Sequence, residues 1–300
     1  MSKLIQRNKK KGILLAAFSG ILWGASGTAA QYLLSLGQVT PYWLTGIRLF
    51  FAGIMMLTFC AVVMKKNLFK IWQHPWSAKQ LVWFSFLGMV PSQLTYFQAI
   101  KYSNAATATV IQFLGPLFIV IIVALSQHVW PRRIDLISIS VAFFGVFLLV
   151  TRGHFDSLAL SVQGLVWGLL AALSQAGYTL LPGKLLKSFD TVLVVGWGML
   201  LGSGAFVPFL LQTKITFSFS SLLAVSYVVI GGTIFSYLFY LQSLRFLKPT
   251  ITGMLSAFEP LTAAILGVML LGLKLNLAEI IGILLVLGTS VLQALPDKRR

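Results

Sequence analysis

The sequence predicts an all-α integral membrane protein: ten transmembrane helices arranged as two inverted five-helix repeats. Three observations carry that prediction. Hydrophobic residues make up 58% of the 300, the mean hydropathy is +0.90, and only 10% of residues are charged; a water-soluble chain carries about a quarter. Apolar runs of about 20 residues follow one another, the length a helix needs to cross about 30 Å of hydrocarbon. Finally, one pattern occurs twice at an offset of 144 residues: Tyr96-x-Gln98-x-x-Lys101 through Gly115-Pro116 returns as Tyr240-x-Gln242-x-x-Arg245 through Glu259-Pro260, and Gly20-x-x-Trp23-Gly24 returns as Gly164-x-x-Trp167-Gly168.

The predicted spans are 12–34, 43–64, 81–100, 105–127 and 134–151, then 162–182, 191–211, 222–244, 250–272 and 277–295. The first follows a basic stretch but leads into further spans, not a polar mature domain, so it is read as retained rather than cleaved. The two repeats are 1–155 and 156–300, joined by the short polar link Arg152–Ser161. The longest interior connection, Lys65–Gln80, holds His74-Pro75 with Trp72 and Trp76 and reads as an interfacial segment.

Ten spans put both termini on one side, and 18 of the 23 Lys/Arg residues then share that side. They are Lys3, Arg7, Lys9, Lys10, Lys11, Lys65, Lys66, Lys70, Lys79, Arg132, Arg133, Lys184, Lys187, Arg245, Lys248, Lys298, Arg299 and Arg300. Lys101, Arg152, Lys214 and Lys274 fall opposite, and Arg48 falls inside a span. The positive-inside bias makes the termini of this cell-membrane protein cytoplasmic. It also accounts for the net charge of +17 through topology and anionic lipid, with no nucleic acid as partner. Five spans per repeat is an odd number, so the helices of Trp23 and Trp167 enter from opposite sides and the halves are inverted. That plan suits alternating access around a midplane site.

Arg48 and Glu259 are the charges placed well inside spans, where charge is costly and faces a cavity or a partner. Arg48 lies roughly 8 Å from the outer end of its span, so snorkelling to the interface is the bland alternative. Glu259 is too short to snorkel. It reads either as a proton-coupling or substrate-amine site, or as a buried pair with Arg48 or with backbone at a kink. Its counterpart is Gly115, so both halves do not need this charge to fold. Pro116 and Pro260 remove backbone donors at matched positions and predict kinks that can serve as gate flexing points.

The remaining candidates for substrate binding or coupling are polar or aromatic: Gln31, Tyr96, Gln98, Gln112, Gln175, Tyr178, Tyr240, Gln242, Trp23 and Trp167. Tyr32, Gln93 and Tyr237 belong to the same unusually polar set. Their amides and phenols can satisfy one another across helices or hold a polar ligand. For the two tryptophans, packing beside glycine competes with lining a cavity. Gly20-x-x-x-Gly24 and Gly164-x-x-x-Gly168 put small residues on one helix face, where a neighbouring backbone can approach. Trp43 and Trp130 read as interface anchors.

Other chemistries are unsupported. Cys60 is the single cysteine and sits in an apolar run; His74, His128 and His154 fall in separate loops; no phosphate-loop motif is present. No enzyme activity, metal or cofactor is expected.

The order and spacing of these motifs resemble the drug/metabolite transporter superfamily, particularly its EamA group, over about residues 12–295. The likeness rests on Trp23-Gly24, Arg48, the Tyr96–Pro116 block, Trp167-Gly168 and the Tyr240–Pro260 block with Glu259. It implies an inverted-repeat carrier with a central cavity, moving amino acids, related metabolites or drugs, commonly outward, in the bacterial cytoplasmic membrane. Gly115 departs from a symmetric acidic pair. The expected partners are a small-molecule substrate, the lipid bilayer and protons. Nothing in the sequence sets an oligomeric state. The favoured function is export of a small amphiphilic metabolite such as an amino acid. The alternatives are uptake or exchange, drug or quaternary-cation efflux, and, from a different class, a membrane assembly or scaffold role.

Overall fold

The structure, a computed structural model, describes residues 2–128, 130–131, 133–154, 160–212, 218–247, 251–252 and 255–293, with backbone alone for 2–9, 212, 290 and 293. Arg132, Lys214, Lys248, Lys298, Arg299, Arg300 and the predicted repeat boundary at 155/156 lie outside the described residues. All regular structure among the described residues is helical.

The first half comprises α1 (Ser2–Ser35), α2 (Pro41–Val62), α3 (Pro75–Trp83), α4 (Val90–Tyr102), α5 (Ala105–Gln112), α6 (Gly115–Gln127) and α7 (Arg133–Thr151). The second comprises α8 (Val162–Leu180), α9 (Leu185–Ser188), α10 (Thr191–Ser203), α11 (Val207–Gln212), α12 (Phe219–Val229), α13 (Ser236–Ser243), α14 (Phe258–Leu271) and α15 (Leu277–Gln293). A wide π-helical turn, Phe84–Met89, joins α3 to α4, and another, Ile230–Phe235, joins α12 to α13. Local chemistry sets several starts. Thr40 caps α2 by accepting from the Trp43 N–H at 3.2 Å with Pro41 at the first position, and Asn104 caps α5 by accepting from the Thr107 N–H at 2.8 Å.

Among the described residues, seven helical segments are long and apolar enough to cross a membrane. Phe258–Leu271 and Leu277–Thr289 are apolar but shorter. The predicted third span corresponds to α3, the wide turn and α4, whose Gln80, Ser92, Gln93, Thr95 and Gln98 dilute its hydropathy.

Helix pairs approach where side chains are small. A Cβ on Gly145 of α7 would lie 2.9 Å from the Gly282 carbonyl oxygen of α15, and one on Gly282 would lie 2.5 Å from that of Gly145. Gly53 lets α2 come against the Leu200 backbone of α10. Around that contact Leu49, Met56, Phe84, Leu193 and Met199 form a closed apolar cluster. Outward-facing Phe143, Phe144, Ile265, Met269 and Leu284 are exposed, as lipid-facing side chains are.

One end of the bundle carries the start of α1 and the α2–α3 and α8–α10 connections. Lys66 and Asp190 bridge those connections at 3.3 Å, and Gln80 donates to the Leu181 carbonyl at 2.8 Å. The described basic residues predicted at this end, from Lys10 to Arg245, are exposed. Trp130 is 90% exposed, as an interface anchor would be. Trp43 is not an anchor: it is 6% exposed, packed in a cluster with Val39, Leu44 and Phe97, because neighbouring helices cover the start of α2.

Candidate functional site

A cavity of about 570 Å³ lies in the middle of the bundle, walled by α1, α2, the α3–α4 segment, α5, α6, α8, α10, α13 and the start of α14. It runs toward the end where the chain starts, reaching Pro182, Leu186 and Thr191 in the α8–α10 connection. Cross-helix hydrogen bonds close the opposite end. Gln31 accepts from the Ala105 N–H at 2.7 Å, the Tyr96 and Thr109 hydroxyls bond at 2.9 Å, Tyr32 donates to the Ser220 hydroxyl at 3.0 Å, and Ser161 donates to the Tyr102 carbonyl at 2.8 Å.

Two broken helices shape the floor. At Pro116 and Pro260, where kinks are predicted, the regular helix is interrupted for two residues just before the segment that carries the proline. α5 ends at Gln112 and α6 begins at Gly115, with Phe113 and Leu114 in the gap; Ser256 and Ala257 precede α14 in the same way. Proline has no N–H to carry the ladder across, so the turns close locally instead, as in the Glu259 N–H donating to the Ser256 carbonyl at 2.9 Å. Non-helical backbone at membrane depth is tolerated where it lines a cavity. Gln112, Phe113, Pro116, Ser256 and Glu259 line this one, while Pro260 is buried beside it.

Glu259 sits in the first turn of α14, the positive end of its dipole. Its backbone is held by α1. A Cβ on Gly24 would overlap the Glu259 carbonyl oxygen, and one on Gly20 would lie 3.2 Å from its amide nitrogen. The glycine motif therefore serves close approach, as predicted. The Glu259 side chain is half-buried, faces the cavity, and accepts no hydrogen bond and forms no ion pair among the described residues.

Arg48 also lines the cavity. It does not snorkel, being 5% exposed, and it does not pair directly with Glu259. α2 carries it about 10 Å below its start, where its Nε donates to Thr233 Oγ1 at 2.7 Å and its Nη2 to the Gly232 carbonyl at 3.1 Å. Its guanidinium lies over the Phe97 ring, 5.4 Å from the centroid. Both acceptors belong to the wide turn between α12 and α13. Thr233 Oγ1 in addition donates to the Val228 carbonyl at 2.9 Å, and Gly232 is small because α1 places Ser26 directly against it.

Of the other predicted residues, the cavity gathers Trp23, Tyr96, Gln112, Gln175, Tyr178 and Tyr240, together with Gln93 and Tyr237 of the wider polar set. Trp23 meets Tyr237 edge-on at 5.3 Å and Tyr240 at 5.4 Å. Tyr178 and Tyr237 turn their hydroxyls toward one another from α8 and α13. Four predicted residues lie elsewhere. Gln31 caps α5, Gln98 is buried in α4 away from the cavity, Gln242 is exposed, and Trp167 packs against the apolar cluster around Ala30 and Ala108. Sequence reasoning missed Ser92, Thr109, Thr191 and Ser256, which also reach the cavity. The repeat offset points to the last of these, since Ser256 is the counterpart of Gln112.

The chain is 38% identical over 293 residues to a protein of Salmonella typhimurium described as the uncharacterized inner membrane transporter YicL, with 97% of each chain covered. It is 28% identical to the uncharacterized transporter YwfM of Bacillus subtilis, over 96% of this chain and 94% of that one. A solved crystal structure of a protein shares the fold with a TM-score of 0.62, at 18% identity over 95% of this chain and 96% of the other. The EamA-like transporter family matches twice, at residues 10–151 and 162–294. This chain is thus a multi-pass cell-membrane transporter of small molecules and a member of the EamA-like transporter family.

Proposed function

We propose that the chain is a ten-span secondary transporter of two inverted repeats, 1–155 and 156–300, with both termini cytoplasmic. It exports a small amphiphilic metabolite bearing an amine, such as an amino acid, by alternating access. One observation carries this reading: a single central cavity presents one charge of each sign, Arg48 and Glu259, that do not neutralise each other directly. A scaffold has no use for such an interior.

The packing supports inversion. α4 lies on α8 as α13 lies on α1, and α5 lies on α8 as α14 lies on α1, while α2 with α10, α5 with α14 and α7 with α15 each join repeat-mates. Exchanging the conformations of such halves moves the opening from one membrane face to the other. The cavity runs toward the Lys/Arg-rich end, which fits a cytoplasm-facing state ready to load. Glu259 holds either the substrate amine or a proton, so that protons returning inward drive export.

Flux of radiolabelled amino acids and amines from proteoliposomes, with and without a pH gradient, tests the reading. The expected result is gradient-stimulated flux that Glu259→Gln abolishes. Flux unchanged in that variant removes the coupling role, and flux only down the substrate gradient in both directions favours exchange over export.

A further inference from the structure

The cavity offers very different chemistry to the two ends of an amino acid. A carboxylate is usually clamped by two parallel N–H bonds from one edge of a guanidinium. In Arg48 the Nε–Nη2 edge is occupied by Thr233 and Gly232, Phe97 covers one face, and 5% of the residue is exposed, so of its two edges only Nη1–Nη2 is left for a ligand. Among the described residues it is the one cation lining the cavity. Its bonds tie α2 to the wide turn before α13.

The other end of a zwitterion finds the opposite. Glu259 has open acceptor capacity toward the cavity. Aromatic rings share its wall: Trp23 precedes Gly24, which contacts the Glu259 backbone, and Tyr96 and Tyr237 lie within electrostatic reach of its carboxylate, as does Arg48. Trp23, Tyr237 and Tyr240 are mutually packed and share the cavity wall. A carboxylate beside aromatic faces is the arrangement that holds an ammonium, with ring quadrupoles replacing part of its hydration. Gln93, Gln112 and Gln175 add amides, which serve as neutral donors and acceptors for the rest of a ligand.

Resting on the transport reading above, we infer that the cavity recognises its ligand through a cationic nitrogen, a primary or methylated ammonium held at Glu259 against Trp23, Tyr237 and Tyr240, and that a ligand carboxylate is dispensable. The substrate class is therefore organic amines. Amino acids enter it through their ammonium group.

Matched triads test this on the full-length protein in nanodiscs: phenethylamine, phenylalanine and hydrocinnamate; isoamylamine, leucine and isocaproate; tryptamine, tryptophan and indolepropionate. Binding is measured by calorimetry and by the ligand-induced shift in thermal unfolding. The expected order within a triad is amine at least as tight as amino acid, with no binding by the acid. Glu259→Gln should weaken the amine at least tenfold, and Glu259→Asp, which keeps the charge, should restore part of it. Binding of an acid or amino acid without its amine overturns the inference, as does absence of binding by every amine, or amine binding unchanged in Glu259→Gln. Proteoliposome flux of the same compounds separates the two readings: carboxylate-dependent flux sinks the amine inference alone, and absence of flux of any solute sinks transport itself.

Discussion

The two halves repeat one backbone plan with different side-chain work. Trp23 lines the cavity, while Trp167, at the same place in the second half, is packed into an apolar cluster. Glu259 stands opposite Gly115. Each half has a wide turn, but only the one at Gly232–Thr233 receives a guanidinium. Each half carries a wide turn and a break before a proline segment, whereas the two charges assigned to the ligand in the proposed function occur once. A single ligand in one central cavity needs one recognition set, so the second copy of each position is free to become packing.

Repeat-mate substitutions can break or sharpen that contrast. The largest difference is expected between Glu259→Gln and Gly115→Ala. Losing the charge partner of a bound cation should lower flux roughly 30-fold or more. A methyl at Gly115 meets the Gln175 Cγ at 3.1 Å and the Ala172 carbonyl oxygen at 3.5 Å, a crowding of a few tenths of an ångström that removes no charge, and should lower flux far less. Equal losses in proteoliposome assays would erase the functional asymmetry.

Next come the tryptophans. Trp23→Leu should weaken amine affinity about tenfold, in line with a partly desolvated cation–π contact of about 1–2 kcal/mol. Trp167→Leu should lower the unfolding midpoint without moving affinity. Calorimetry beside thermal melts distinguishes the two.

A smaller difference is expected between Gly24→Ala and Gly168→Ala. The added methyl at Gly24 collides with fixed backbone at Glu259, whereas at Gly168 it meets the side chain of Ile111 at 3.0 Å. Overpacking costs about 1–3 kcal/mol, and Gly24 should sit at the upper end of that range. Melting of both purified variants in one detergent checks the order.

The smallest is Arg48→Met, which leaves the Gly232 carbonyl without its donor at a cost of about 1–3 kcal/mol; Val192→Ala, a change in the apolar cluster, is a packing control at about 1–2 kcal/mol. Its signature is qualitative: labels on α2 and α13 should separate in Arg48→Met and not in Val192→Ala.

The spans were legible because hydrocarbon imposes length and apolarity on any helix that crosses it, and the 144-residue offset marked blocks whose residues line the cavity. Which residues of a block face inward was legible too, but only through helical periodicity. Tyr96 has Gln93 three residues away on its own face and Gln98 two residues away on another; Gln93 lines the cavity and Gln98 does not. Tyr240 and Gln242 differ in the same way, whereas Gln175 and Tyr178 keep the three-residue spacing and both reach it. Polarity alone nominated the wrong member in each α4 and α13 pair. How far each interruption at a proline extends was not legible, because proline signals a lost donor but not how many neighbours leave the ladder with it. The wide turns had no sequence signal beyond Gly88 and Gly231–Gly232. The burial of Trp43 depends on neighbouring helices that are remote in sequence.

The crossing of α7 and α15 sets a boundary on how the molecule can move. Each glycine there faces the other helix's carbonyl, Gly145 against Gly282, and the far end is fastened by Arg152 to Glu279 at 2.9 Å and by Asn276 to the Arg152 carbonyl at 2.8 Å. Two rods in backbone contact have no compliant layer between them to shear. In the proposed alternating-access cycle this pair moves as one body, and the change of shape falls on the broken and widened helices around the cavity.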